Sequence, residues 1–287
     1  MRDISNSSKI DALVQKAHAL RMDLVEMFHA SGRGHLGGSL SLVEIMAALY
    51  FHILRVDPDH PGWPDRDRLV LSKGHASAIW YAALAARGFF PRELLFTEYM
   101  KIGGRLQEHS DMHKVPGVEM SSGALGQGLS VGLGMSLAGR LAKKEYRVYV
   151  ILGDGEIQEG QIWEAFMAGS HYRAGKLTAI IDYNHLQVCG SISQIMELEP
   201  LSEKLTAFRW NVLEIDGNDM AQVVKALEQA CDNATDFPTA ILCHTVKGKG
   251  VSFIEKNVHW HSHVLNEGDY QKAKDELIGT SGSRGKK

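Results

Sequence analysis

Short apolar segments alternate with longer amphipathic ones through most of this 287-residue chain. The short segments, each of strand length, are 69–71, 147–152, 177–182, 212–215 and 239–244. Segments with helical spacing of apolar residues are 9–30, 41–51, 76–87, 129–142, 158–172 and 219–232. Strands that alternate with helices form a parallel sheet with helices packed on its faces. The pattern therefore predicts an α/β fold, with one parallel sheet flanked by helices.

Composition excludes several classes of protein. Lys and Arg total 31 against 34 Asp and Glu, so neither a basic surface for nucleic acid nor an acidic disordered chain is expected. The three cysteines, Cys189, Cys231 and Cys243, lack CxxC spacing and are typical of thiols in a reducing compartment. No run of about 18 apolar residues could cross a bilayer, and the first residues lack a signal-peptide core. We expect a soluble, cytoplasmic protein that binds neither nucleic acid nor membrane.

Polar residues follow two neighbouring predicted strands. Gly153-Asp154-Gly155 comes directly after the strand at 147–152, and Asn184 follows the next strand. Ligands bind at the carboxyl ends of parallel strands, and carboxylate, amide and carbonyl oxygens suit Mg²⁺, which usually also binds phosphates. The two glycines would let the backbone approach a diphosphate closely. The structural alternative is that Asp154 caps the following helix and Asn184 closes a turn.

Three histidines lie in or beside glycine-rich turns or a long irregular segment. They are His35, His75 and His109, the last within residues 100–128. Imidazole can donate to phosphate or hydroxyl oxygens and can move protons near neutral pH. A long irregular loop in a compact domain is usually functional, so we expect a binding loop. Zinc is an alternative, since His109 and His113 have metal-like spacing, but the loop offers no clear third ligand.

Two common nucleotide-binding fingerprints are absent. The turn at 123–128 enters a predicted helix but does not read GxGxxG, and no GxxxxGK[ST] segment occurs. The basic glycine loop at 245–251 could face an anion or could be solvated surface. The histidine-rich segment at 259–263 could be an exposed loop or could bind metal adventitiously.

Together these motifs resemble the thiamine-diphosphate-binding half of transketolases, in the family's order, from about residue 10 to about residue 265. Gly153-Asp154-Gly155 followed by Asn184 resembles the diphosphate and metal motif shared by thiamine enzymes generally. The segments that resemble transketolases specifically are 31–38, 71–77 and 123–128.

The resemblance implies a thiamine-diphosphate-binding fold over residues 1–275 and a flexible tail over 276–287. It also implies transketolase activity, the transfer of a two-carbon ketol unit from a ketose phosphate to an aldose or its phosphate. The cofactors implied are thiamine diphosphate and Mg²⁺, or Ca²⁺ in its place.

The resemblance also implies a role for each matching residue. The implied metal ligands are Asp154, Asn184 and the backbone carbonyl of Leu186. The implied contacts to the cofactor are His75, Gly153, Gly155 and His261 at the diphosphate, with Gly123 and Leu125 near the two rings. The residues implied at the hydroxyls of the ketose donor, where they would assist proton transfer, are His35, His109 and His261. Glu159 matches a glutamate at the family's subunit contact, where it would couple paired cofactor sites.

Four positions depart from the family's pattern. Leu36 stands where Pro commonly follows the first histidine, and Ser110 stands where Pro follows His109. Tyr183 precedes Asn184 in place of Asn or Asp. His261 is followed by Ser rather than Gly, which leaves His263 as an alternative to it.

The resemblance covers only the first domain of a whole transketolase. The pyrimidine-binding and C-terminal domains of the family supply the glutamate that activates the cofactor and the arginines that hold sugar phosphates. We therefore expect a separate C-terminal subunit with those two domains, an α₂β₂ heterotetramer, and sugar phosphate substrates. The alternatives are a deoxyxylulose-phosphate synthase fragment, one chain of a 2-oxo acid dehydrogenase, and a non-catalytic thiamine-diphosphate-binding module. The sequence does not specify the ketose donor or the aldose acceptor, and ordinary pentose phosphates are the default.

Overall fold

The computed structural model of the chain describes residues 2–283. Five parallel strands form one sheet in the order β1-β2-β3-β7-β6, and two short strands form a separate antiparallel hairpin. The strands are β1 (Arg68–Leu71), β2 (Val148–Gly153), β3 (Leu177–Tyr183), β4 (Leu186–Gln187), β5 (Gly190–Ser191), β6 (Asn211–Asp216) and β7 (Thr239–His244). The predicted parallel α/β fold is confirmed.

Helices cover both faces of this sheet. They are α1 (Arg2–Ser31), α2 (Leu36–Leu40), α3 (Val43–Ala48), α4 (Ser77–Arg87), α5 (Leu94–Thr97), α6 (Gly128–Leu141), α7 (Gly160–His171), α8 (Ile192–Ile195), α9 (Leu201–Ala207), α10 (Met220–Cys231) and α11 (Glu267–Ser283). Short 3₁₀ turns occupy Gly74–Ala76, Gly155–Gln158 and Val258–His261, and a π-helical turn occupies Leu49–Ile53.

Two hydrophobic clusters lie on opposite faces of the sheet. Tyr149 and Ile151 of β2 belong to the cluster that includes α1, α3, α4 and α10. Val148, Val150 and Leu152 of the same strand belong to the cluster with α6, α7 and α9. Because successive strand residues point to opposite faces, β2 is apolar throughout, as expected for a strand buried on both sides.

The register brings the carboxyl ends of the central strands to one edge of the sheet. Gly153 of β2 pairs with Asp182 of β3, and Tyr183 pairs with His244 of β7. The loops that follow these strands therefore begin side by side. This edge carries the residues of the candidate site.

Helix α11 overlaps the segment that the sequence predicts to be flexible. The predicted tail starts at residue 276, whereas α11 continues to Ser283 and buries Ala273 and Leu277 in the core. These two residues and Tyr270 lie three and four positions apart, so they share one helix face. The sequence after Leu277 is rich in Gly and Ser, which is typical of a flexible tail, so the sequence pattern does not indicate this helix. Residues 284–287 lie outside the described residues.

Between residues 2 and 283, no helix combines the length and the apolar character needed to cross a membrane.

Candidate active site

Asp154 and Asn184 lie next to each other at the ends of β2 and β3. Asp154 Oδ1 accepts a hydrogen bond from the Gly155 amide at 2.8 Å, and Oδ2 accepts one from the His185 amide at 2.5 Å. Asn184 Oδ1 accepts from the Leu186 amide at 3.1 Å. The capping and turn roles that the sequence allows are thus present. Each oxygen retains a second lone pair, so these contacts do not preclude metal binding.

The Asp154 carboxyl is buried, and its hydrogen bonds come from backbone amides rather than from a cationic side chain. It is 3% exposed, and burial together with the neighbouring Asp182 raises its pKa to about 7. A bound divalent cation would favour the ionised form. The donor set available here, a carboxylate, an amide oxygen and a backbone carbonyl, is the hard oxygen set that Mg²⁺ and Ca²⁺ prefer. The residues therefore fit a divalent metal.

Asp182 is buried in the same region, but its charge is compensated. It pairs with Lys73 Nζ and accepts hydrogen bonds from Ser41 Oγ at 2.6 Å and from Thr245 Oγ1. Although burial opposes ionisation, Lys73 holds the pKa of Asp182 below its ordinary value. This ion pair lies at the strand-end edge, and sequence reasoning assigned it no role.

Glu156 ties together three segments of the site. Its carboxylate accepts from Ser72 Oγ, from the Gly126 amide at 2.9 Å and from the Gly153 amide at 3.0 Å. It thereby joins the end of β1, the turn before α6 and the end of β2. Burial raises the pKa of Glu156. Sequence reasoning also missed this residue, although it directly follows the Gly-Asp-Gly motif.

The four histidines expected at the site form one cluster. The ring centroid of His35 lies 4.7 Å from that of His75 and 5.0 Å from that of His261. The His75 and His109 centroids are 5.2 Å apart. These residues come from four separate segments of the chain, so only the fold brings them together.

Burial favours the uncharged form of three of these histidines. It is the main cause that lowers the pKa of His35 and of His75. Burial and then Lys247 lower the pKa of His261 to about 3. Neutral imidazoles can both accept and donate protons at pH 7, which is the property that acid–base chemistry at sugar hydroxyls requires.

His261 and His263 have different surroundings. His261 Nδ1 lies 2.9 Å from Lys247 Nζ, and its ring faces His35. His263 is exposed, and its ring packs edge-on against Trp260 with centroids 4.8 Å apart. Of the two, His261 is the one that lies in the cluster.

Neighbouring side chains pack closely against two glycines of the site. A Cβ on Gly123 would lie 2.9 Å from His109 Cγ, and one on Gly155 would lie 2.9 Å from Gln187 Oε1. Real Cβ atoms do not approach so closely, so a side chain at either position would displace a neighbour. Leu125, two residues after Gly123 in the same turn, is half-buried.

Glu159 lies at the outer side of the site. It is exposed, and its Cβ would lie 2.8 Å from a Cβ placed on Gly126. It therefore packs against the backbone of the turn before α6 while its carboxylate reaches solvent.

The structure does not support the alternative of a zinc site at His109 and His113. His113 is exposed, and no group of three or more His, Cys, Asp or Glu residues in the described part of the chain could hold a metal ion.

A family model described as "Transketolase, thiamine diphosphate binding domain" matches residues 10–282. The 6-deoxy-6-sulfo-D-fructose transketolase subunit of Clostridium sp. (strain MSTE9) is 46% identical, over 92% of this chain and 96% of that protein. An apulose-4-phosphate transketolase subunit of Phocaeicola vulgatus is 41% identical, over 94% of this chain and 95% of that protein.

Longer relatives match over part of their length. Human transketolase is 36% identical, over 91% of this chain and 41% of its own. The crystal structure of Campylobacter jejuni transketolase superposes with a TM-score of 0.86 at 29% identity, over 93% of this chain and 42% of that one. This chain therefore spans about two fifths of those proteins.

Proposed function

This chain belongs to the transketolase family, and we propose that it is the thiamine-diphosphate-binding subunit of a transketolase built from two kinds of chain. It transfers a two-carbon ketol unit from a ketose phosphate to an aldose or aldose phosphate. The observation that carries the proposal is the edge of the sheet, where a hard oxygen donor set and a cluster of histidines lie together.

Thiamine diphosphate, when bound, supplies the electron sink for a two-carbon carbanion. Asp154, Asn184 and the carbonyl of Leu186 would hold Mg²⁺, or Ca²⁺ in its place. The residues that would hold the cofactor are His75, Gly153, Gly155 and His261 at the diphosphate and Gly123 and Leu125 near its rings. Support comes from the donor set at the strand ends.

Three histidines act on the sugar. His35, His109 and His261 would contact hydroxyls of the ketose donor and hold or move protons at those oxygens. The burial of His35 and His261 supports this role, because a neutral imidazole has both a bare nitrogen and an N–H group.

The substrates are sugars that carry an anionic group. The named relatives act on 6-deoxy-6-sulfo-D-fructose and on apulose 4-phosphate. Because these names specify different sugars, both an ordinary pentose phosphate and a specialised sugar are candidates for the ketose donor of this enzyme. The choice rests largely with the partner, which would supply the anion-binding arginines.

The partner is a C-terminal transketolase subunit with the pyrimidine-binding and C-terminal domains, in an α₂β₂ assembly. Relatives of matching length are named as subunits, and single-chain transketolases extend well beyond the matched region. Glu159 would lie at a subunit contact and couple paired cofactor sites. The free thiols of Cys189, Cys231 and Cys243 support a cytoplasmic, reducing location.

Reconstitution tests the proposal. The chain is co-purified with its candidate C-terminal partner and is then assayed with Mg²⁺, thiamine diphosphate and a panel of ketose donors and aldose acceptors. We expect ketol transfer and no decarboxylation of a 2-oxo acid. Decarboxylation alone would indicate a chain of a 2-oxo acid dehydrogenase, and cofactor binding by calorimetry without turnover of any substrate would indicate a non-catalytic thiamine-diphosphate-binding module.

A further inference from the structure

In two histidines of the cluster, the Nδ1 atom lies next to a charged side chain, and the two charges have opposite sign. His35 Nδ1 lies 2.6 Å from Glu108 Oε1, whereas His261 Nδ1 lies 2.9 Å from Lys247 Nζ. An ionised carboxylate can only accept a hydrogen bond, and an ammonium group can only donate one. The two contacts therefore demand opposite protonation of the two Nδ1 atoms.

We propose that Glu108 and Lys247 fix opposite tautomers in the cluster, with the His35 proton on Nδ1 and the His261 proton on Nε2. His35 then presents a bare Nε2, which is a proton acceptor. His261 presents an Nε2–H group, which is a hydrogen-bond donor. What this means for catalysis rests on the proposed function, but the tautomers themselves do not.

Burial makes both contacts hard to replace by water. The side chains of His35 and Glu108 are 16% and 29% exposed, and Lys247 is 2% exposed. His35 Nδ1 is buried and has no well-aligned hydrogen-bond partner among the described residues, so the Glu108 oxygen is within reach but not at the best angle.

Glu108 has no anionic competitor among the groups that surround His35. The titratable groups that face His35 from neighbouring elements are Glu108, His109, Lys247, His75 and His261. Glu108 is the one anion among these five. The carboxylate therefore determines which nitrogen of His35 carries the proton.

The two tautomers divide the chemistry at the donor sugar. A hydroxyl proton passes to Nε2 of His35, the oxygen keeps the electron pair of the broken O–H bond, and the imidazolium that forms is stabilised by Glu108. His261 keeps its proton and donates a hydrogen bond to a sugar oxygen. Glu108 and Lys247 are positioning residues in this scheme, because they act through the histidines.

Nitrogen NMR of the full-length chain reads the tautomers directly. The chain is labelled with ¹⁵N-histidine, and its spectra are recorded at pH 6.5, where the ammonium group is the ordinary form of a lysine side chain. Signals of the two histidines are assigned with His35→Gln and His261→Gln. We expect a protonated Nδ1 in His35 and a protonated Nε2 in His261. The same tautomer in both rings would overturn the proposal, and this measurement requires no variant of Glu108 or Lys247.

A crossed pair of variants tests the cause. Glu108→Met should change the tautomer of His35 and leave that of His261, while Lys247→Met should do the reverse. Glu108→Asp and Lys247→Arg should restore the wild-type pattern. Unchanged spectra in both Met variants, with melting temperatures showing folded chains, would contradict the assignment of cause.

Kinetics of the reconstituted enzyme form a separate arm. Glu108→Met should lower kcat about 10-fold or more, with a smaller change in the KM for the donor, because general acid–base catalysis contributes on the order of 10²–10⁴-fold. Glu108→Asp should recover part of that loss. A change in KM with an unchanged kcat would count against a role in proton transfer. Inactivity of the wild-type complex would contradict the proposed function. The tautomers measured by NMR do not depend on that activity.

Discussion

Two buried aspartates at the strand ends differ in how their charge is balanced. Asp182 contacts Lys73 and two hydroxyl donors, and its pKa stays low. Asp154 accepts hydrogen bonds from two backbone amides, and burial raises its pKa to about 7. A carboxylate that lacks its own cation is the better metal ligand, because the metal supplies the missing charge. Asp154, rather than Asp182, is therefore the residue to test.

Asp154→Asn should reduce Mg²⁺-dependent binding of thiamine diphosphate by about 100-fold or more, since even outer-shell changes at metal sites cost about 10–100-fold. Asn184→Ala should act in the same direction. Isothermal titration calorimetry measures the affinity, and circular dichroism checks the fold.

Asp216→Asn is the matched control for these variants. Asp216 ends β6 at the same edge of the sheet but is exposed. Its substitution should leave cofactor affinity within about threefold. If Asp154→Asn kept full affinity for thiamine diphosphate, the metal site would have to lie elsewhere.

His109→Ala should lower the rate of ketol transfer far more than it weakens cofactor binding. The expected loss in kcat is about 100-fold, within the range of general acid–base catalysis. His109 contacts His75 and the Gly123 turn, and it is assigned to the sugar rather than to the diphosphate. Steady-state kinetics and calorimetry on the same preparation separate the two effects.

His113→Ala is the control from the same loop, because His113 is exposed and has no assigned role. It should retain both activity and affinity. If His109→Ala instead lost cofactor affinity in proportion to rate, the histidine would belong to the diphosphate site.

The sequence indicates the histidines of the site more readily than the buried charges that support them. His35, His75 and His109 each lie beside glycine or within a long irregular segment, which marks a functional turn or loop. Asp182 closes an apolar strand, and Lys73 precedes a glycine, so neither residue stands out locally. Their partnership joins residues far apart in the chain, which no local pattern encodes.

At the scale of elements, helix α6 packs very closely on the sheet at one glycine. A Cβ on Gly132 would lie 2.4 Å from Val150 Cγ2 of β2. Gly134, two residues further along the same helix, is exposed and would meet nothing within 4 Å. The two positions share one helix and differ mainly in the contact with the sheet.

Gly132→Ala should destabilise the chain by about 1–3 kcal/mol, because an added methyl group overpacks a rigid core. Gly134→Ala should stabilise it by about 0.5–1 kcal/mol, because alanine is the better helix former where space is open. Urea denaturation of the purified chain measures both changes. Equal effects at the two positions would mean that helix propensity, not packing, dominates.

Long regular elements could be predicted, and short or disguised ones could not. The apolar strands expected at 147–152 and 239–244 lie within one residue of β2 and β7. The hairpin of β4 and β5 has two residues per strand, too few to show a period. Helix α11 has three core residues, Tyr270, Ala273 and Leu277, in an otherwise polar segment, so its apolar face is narrow.

At the scale of the whole molecule, the assigned residues lie along one edge of one sheet. The proposed metal donors and the histidine cluster would lie on a single side of the proposed cofactor. Nothing in the described residues forms a second α/β unit that could hold the pyrimidine ring. A separate chain that covers this edge would also exclude water from it.

The purified chain alone should therefore show no ketol transfer, and mixing with its C-terminal partner should restore it. Activity is followed with a coupled sugar phosphate assay, and light scattering reports the stoichiometry, expected to be α₂β₂. Robust turnover by this chain, with no second polypeptide in the preparation, would contradict the two-chain assignment.

The order of strands in the sheet differs from their order in the chain. Strand β7 lies between β3 and β6 but follows both in sequence. The ribosome therefore synthesises the strand between β3 and β6 last, and until then β3 has one unpaired edge and β6 has no partner strand. Such edges invite pairing with other nascent chains. Because Lys247 and His261 follow β7 in the chain, the histidine cluster is complete only after the last strand of the sheet has been synthesised.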